Sequence, residues 1–62
     1  MSLHLVTGSD DNYVPGVLVL IASAAAQTPG LRATVLDNGI SPENRARIDA
    51  LGTRLGIPVR RI

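Results

Sequence analysis

Thr7-Gly8-Ser9-Asp10-Asp11-Asn12-Tyr13 is the stretch of this chain whose residue types could hold a polar ligand. It lies between a short apolar run, His4-Leu5-Val6, and a long one, Val17 to Ala26. Carboxylates and an amide can accept from, or donate to, the edges of a base and a ribose. Tyr13, the only aromatic residue, offers a face on which a base could stack. Together these groups describe the base-and-ribose end of a nucleotide site. A plainer reading stands beside it: Asp10, Asp11 and Asn12 make a turn and cap the following helix, and Tyr13 packs along that helix. A second polar group, Asp37-Asn38-Gly39, follows the next apolar segment and could face the same crevice.

The elements that must position these residues follow from hydrophobic period and from breakers. Leu3 to Val6 is short and apolar and ends at a Thr-Gly break, as a buried strand does. Pro15 suits the first turn of a helix, where its missing N–H has no partner to lose, with Asn12 or Asp11 as the cap. From Val14 to Thr28, a helical projection gathers Val14, Val17, Leu18, Ile21, Ala24, Ala25 and Thr28 on one face. Val19 and Leu20 on its flanks are still apolar, so this helix expects neighbours on more than one side. Pro29-Gly30 ends it. Arg32-Ala33-Thr34-Val35-Leu36 reads as a second strand. Ser41-Pro42-Glu43 then starts a second helix with a hydroxyl cap, a proline and an acid in the first turn. Ile48, Leu51 and Leu55 give that helix a narrow apolar stripe. Glu43 with Arg47, and Arg45 with Asp49, have the spacing of exposed ion pairs. Gly56 is the expected C-terminal cap, and Ile57 to Ile62 begin a third strand.

Strand, helix, strand, helix, strand implies an α/β fold with a βαβαβ parallel three-stranded sheet built through right-handed crossovers. Strands added successively in one direction, in the order 3-2-1, leave both helices on one face and the other face bare. Parallel sheets are normally covered on both faces, so residues 1–62 are expected to be half of a larger doubly wound domain. Ligands of such sheets sit at the carboxyl ends of the strands, where the loop 7–13 and the loop 37–41 both begin.

Composition removes several classes. Sixty-two residues allow at most one domain, of marginal stability by itself. There is no cysteine for a disulfide or a thiolate metal cluster, and one histidine, His4, does not make a zinc site. The lack of cysteine fits a reducing, cytoplasmic setting. The formal charge is +1, with six arginines dispersed among five acids, unlike the clustered basic stripe of a nucleic-acid binder. The apolar run from Val17 to Ala26 is about half the length needed to span a bilayer, and no basic-then-apolar leader opens the chain. A dinucleotide site needs a Gly-x-Gly-x-x-Gly turn. The first loop instead has Gly8 and then Gly16, with two carboxylates between them that would repel a pyrophosphate.

Leu5-Val6-Thr7-Gly8-Ser9-Asp10-Asp11-Asn12-Tyr13-Val14-Pro15 resembles the opening of family 8 glycosyltransferases, which include bacterial lipopolysaccharide galactosyl- and glucosyltransferases and glycogenin. The block Val35-Leu36-Asp37-Asn38-Gly39-Ile40-Ser41-Pro42-Glu43-Asn44-Arg45 resembles the next segment of that family, in order and spacing. The resemblance implies a GT-A fold with a Rossmann-like nucleotide-binding half, and a retaining, metal-dependent hexosyltransferase using a UDP-sugar donor and a glycan or other sugar acceptor. It implies uridine contacts by the backbone of Thr7 and Gly8 with Asp10 and Asn12, and stacking by Tyr13; Asp37, by its position at the end of the second strand, is expected in the same site. The family holds Mn²⁺ or Mg²⁺ on a downstream Asp-x-Asp motif. No such motif occurs in these residues, so no catalytic or metal-ligating residue is assigned, and the 62-residue chain by itself is expected to be inactive. The other expectation is a non-catalytic α/β fragment or small module that forms a homo-oligomer through its uncovered sheet face.

Overall fold

A computed structural model describes residues 3–62. The elements run β1 (His4–Ser9), a 3-10 turn (Asp11–Tyr13), α1 (Val14–Gln27), β2 (Arg32–Asp37), α2 (Pro42–Leu55) and β3 (Val59–Arg61). All pairings are parallel, with His4 opposite Arg32 through Ser9 opposite Asp37, and Ala33 opposite Val59 through Val35 opposite Arg61. The sheet order is β1-β2-β3, not 3-2-1 as written from the sequence. The two listings start from opposite edges and share the same adjacency, with β2 in the centre.

β1 is longer than the expected Leu3–Val6. Thr7, Gly8 and Ser9 all pair with β2, and the Asn38 N–H donates to the Ser9 carbonyl at 2.8 Å. The ladder therefore carries the strand through the Thr-Gly pair, because each further backbone bond offsets the conformational freedom Gly8 loses. The first polar loop is shortened to residues 10–13.

One face of the sheet carries the core. Val14, Val17 and Ile21 of α1, Ala33 and Val35 of β2, Ile40, and Ile48 of α2 form a single buried cluster, with Leu5, Leu18, Leu51, Ile57 and Val59 packed against it. Both helices contribute to it and touch each other, so they lie on the same side, as the crossover rule requires. The opposite side is bare: Val6, Leu36 and Ile62 are 58%, 43% and 66% exposed. Val19 and Leu20 on the outside of α1 are also exposed.

The second helix starts as read, with the Asn44 N–H donating to Ser41 Oγ at 3.3 Å and Pro42 in its first turn. It ends at Gly56, whose φ of 68° is left-handed, with the N–H groups of Gly56 and Ile57 closing on the last turn. Gly52 has a role the stripe of Ile48, Leu51 and Leu55 did not reveal. A Cβ there would lie 2.8 Å from Val59 Cγ2 and 3.3 Å from the Ile57 carbonyl. Its bare Cα lets α2 approach β3.

Neither expected ion pair along α2 forms. Arg45 Nε donates to Asp37 Oδ2 at 2.8 Å, and Arg61 Nη2 donates to Asp49 Oδ2 at 2.9 Å with Nε on the other oxygen at 3.1 Å. Arg47 instead donates to Asn44 Oδ1. Forked or partly buried partners offered by the sheet outcompete exposed partners on the same helix, which contribute only a few tenths of a kcal/mol.

Candidate functional site

The carboxyl ends of β1 and β2 open onto a shallow cleft of about 430 Å³ lined by Gly8, Ser9, Asp10, Asn12, Tyr13 and Asn38. The site lies where β1 feeds the 3-10 turn and β2 feeds the 37–41 loop, so each loop supplies one wall. Four expected residues, Gly8, Asp10, Asn12 and Tyr13, are brought together here. Thr7 is not among the lining residues: it is half-buried within β1, opposite Val35. Asp37 is not among them either.

Each carboxylate in the two loops has a distinct position. Asp10 caps the 3-10 turn, its Oδ1 accepting the Tyr13 N–H at 3.0 Å. It is the cap in place of Asn12 or Asp11, and α1 itself, whose N-cap is Tyr13, has no side-chain cap bond. Asp11 reaches across to the other loop, its Oδ1 accepting the Ser41 N–H at 2.9 Å and Asn44 Nδ2 at 2.8 Å. It latches the two walls together. Asp37 turns back on its own loop, Oδ1 accepting the N–H groups of Gly39 and Ile40 at 3.0 and 2.8 Å while Oδ2 takes Arg45. Of the three residues read as turn and cap, Asp10 caps the 3-10 turn, Asp11 bridges to the other loop instead, and Asn12 sits in the turn without a side-chain cap bond; Asp37 closes its own turn. The side-chain amides of Asn12 and Asn38 make no hydrogen bond among the described residues, which leaves both available to a ligand in the cleft.

Tyr13 is 57% exposed. One side of its ring rests over Gly16, where a Cβ would meet the ring carbons at 3.4 Å. Gly16 thus gives the ring a close seat on the first turn of α1. The Tyr13 expectation of packing beside the helix and the expectation of an open stacking face are therefore both compatible with one ring.

The latches set a pH dependence. The Ser41 N–H, then the Asn44 amide, hold Asp11 below its ordinary pKa. The Ile40 N–H, then the Gly39 N–H and Arg45, hold Asp37 below its own against partial desolvation. A carboxyl group with a depressed folded pKa contributes stability above its unfolded value, near pH 4, and loses it as pH falls through the folded value. The urea midpoint is expected to be flat from pH 7 to 5 and to fall below pH 4. In Asp11→Asn/Asp37→Asn the midpoint should start lower and the acid slope should shrink; a midpoint that rises on acidification contradicts the latches.

Two further residues, Asn38 and Ser9, line the cleft. Asn38 was placed at the crevice by its position after β2, and its neighbour Asp37 takes the turn instead. Ser9 is 4% exposed and its Oγ donates to the Asp10 carbonyl at 2.8 Å. Its role as the last paired residue of β1 depends on the strand running past Gly8.

No group of three or more histidine or acidic side chains that could hold a metal is assembled among the described residues. Asp11 and Asp37 are spent on backbone N–H groups, and Asp10 has one oxygen in the Tyr13 cap. These residues do not fit a divalent cation. No helix among the described residues is long and apolar enough to cross a membrane.

The fold and cleft define an α/β chain with a cleft at the strand ends. General stress protein A of Bacillus subtilis (strain 168) is similar, with 30% identity over 60 residues, covering 92% of this chain and 21% of that protein. The chain therefore spans about a fifth of the length of the curated relative it matches. No family model matches the chain, and no solved structure matches it.

Proposed function

We propose that this chain supplies the uridine-binding part of a cytoplasmic, retaining, UDP-sugar-dependent hexosyltransferase. The observation that carries the reading is the meeting of Gly8, Asp10, Asn12, Tyr13 and Asn38 around one cleft at the ends of β1 and β2. The resemblance of the two loop sequences to family 8 glycosyltransferases supplies the substrate class. In this reading, one face of the uracil lies on Tyr13. The Asn12 and Asn38 amides meet its polar edge, each offering both a donor and an acceptor. Asp10, with its second oxygen outside the cap, accepts from the ribose hydroxyls. Gly8 keeps the floor of the cleft free of a side chain. Asp11 and Asp37 act at one remove, holding the loops in register.

The metal, the sugar and the acceptor must be held by residues outside these 62. Sugar transfer is accordingly a property proposed for a longer protein. Binding by this chain alone should be weak, with a Kd of about 1 mM, corresponding to roughly −4 kcal/mol, and unaffected by Mn²⁺. Titration of the ¹⁵N-labelled chain with UDP, with ADP as comparison, tests this. Shifts confined to residues 8–16 and 38–41, larger for UDP, support the reading. Equal response to both nucleotides, no response in those loops, or tight metal-dependent binding overturns it.

A further inference from the structure

The bare face of the sheet is not uniformly apolar, and its charge pattern specifies what would cover it. Side chains alternate across a strand, and Leu5, Ala33, Val35 and Val59 pack into the core. His4, Val6, Arg32, Thr34, Leu36 and Arg60 therefore occupy the other side. Ile62 joins them: its N–H donates to the Val35 carbonyl and its carbonyl accepts from Asp37, which sets it beside Leu36. Parallel registers place Val6, Thr34 and Arg60 in one row, with Leu36 and Ile62 in the next row toward the carboxyl ends. Val6, Leu36 and Ile62 form an exposed apolar area. Toward the amino ends, Arg32 and Arg60 border a hollow of about 230 Å³ that His4 and Thr34 also line. His4 Nε2 and Thr34 Oγ1 share a 2.6 Å hydrogen bond there.

No acidic side chain lies on this face. Asp10 and Asp11 are in the first loop, Asp37 faces α2, and Glu43 and Asp49 are on α2. The two ion pairs present among the described residues use Arg45 and Arg61 and lie on the helical side. Arg32 and Arg60 have no carboxylate partner among the described residues.

We infer that this face docks an acidic amphipathic helix supplied from outside these 62 residues, its apolar stripe on Val6, Leu36 and Ile62 and its carboxylates on Arg32 and Arg60. Arg32 and Leu36 are four residues apart on β2, roughly 13 Å at strand rise. Arg60, in the row of Val6, is only two residues from Ile62, so the acids lie about one to two helical turns from the Leu36 and Ile62 end of the apolar anchor. A second copy of the chain fits less well, because a two-fold pairing of one face with itself brings positive charges together with no acid to offset them. The inference does not depend on nucleotide binding.

Two helical peptides of about 18 residues test it, each with a leucine stripe and differing only in carrying three glutamates or three lysines at one end. Titrated into the ¹⁵N-labelled chain, the glutamate peptide is expected to shift the amides of Val6, Leu36, Arg60 and Ile62. It should bind about tenfold more tightly than the lysine peptide, a difference two interfacial charge pairs can supply. Arg32→Gln/Arg60→Gln should abolish that preference, and Arg32→Glu/Arg60→Glu should invert it, while amide dispersion reports folding. Equal affinity for both peptides, no binding, shifts centred on Val19 and Leu20, or self-association that buries the face overturns the inference.

Discussion

Ile48→Ala is expected to lower the unfolding free energy by about 3 kcal/mol, within the usual cost of deleting a fully buried aliphatic side chain. Ile48 has no exposure and sits in the cluster joining α1, β2 and α2. A 62-residue chain has a total stability on the order of 3–9 kcal/mol, so the variant is expected to be largely unfolded or to melt well below the parent. Relaxation around the cavity is limited, since the adjoining contacts include Gly52 against Val59, already closer than a Cβ would permit. Ile48→Val, which removes one methyl group, should cost about 1 kcal/mol. Urea unfolding followed by circular dichroism provides both numbers. A change below about 1 kcal/mol for Ile48→Ala would show that α2 is not seated on the sheet as described.

Tyr13→Ala is expected to weaken UDP binding about tenfold or more, since stacking of a base on an aromatic ring contributes roughly 1–3 kcal/mol. Stability should change little, because more than half of the residue is already in solvent. Tyr13→Phe should retain most of the affinity, which separates the ring face from the hydroxyl. Asn12→Ala tests the other wall and should weaken binding less, by the value of one or two neutral hydrogen bonds. In a longer enzyme the same Tyr13 substitution should raise the Michaelis constant for the donor with little effect on turnover, because it touches the non-reacting end. Loss of turnover alone would place Tyr13 elsewhere. Unchanged UDP affinity in Tyr13→Ala would remove the stacking role and leave its packing over Gly16 as the reason for the residue.

Local chemistry along the chain was sufficient for the element order. Pro15 and Pro42 at helix starts, Ser41 as a cap and Gly56 as a left-handed stop each act within a few residues, and each appears where the sequence placed it. The βαβαβ alternation likewise pointed to a parallel sheet, and with strands added successively in one direction, as they are here, crossover handedness puts both helices on one side. The cleft's position at the strand ends followed from the same topology.

What the tertiary structure decided were the partners of polar groups, because a carboxylate or guanidinium selects among neighbours distant in sequence. Asp11 binds Ser41 and Asn44 across thirty or more residues, and Arg61 binds Asp49. No spacing rule along one helix anticipates either. Asp37 had the right position for a ligand contact, yet the N–H groups of its own turn are nearer and fixed. The extension of β1 through Gly8 and Ser9 was likewise set by β2 alongside it. The sequence by itself determined which elements exist and which end of the sheet is polar; packing alone determined that Asp11 and Asp37 brace that end while Asn12, Tyr13 and Asn38 stay exposed in the cleft.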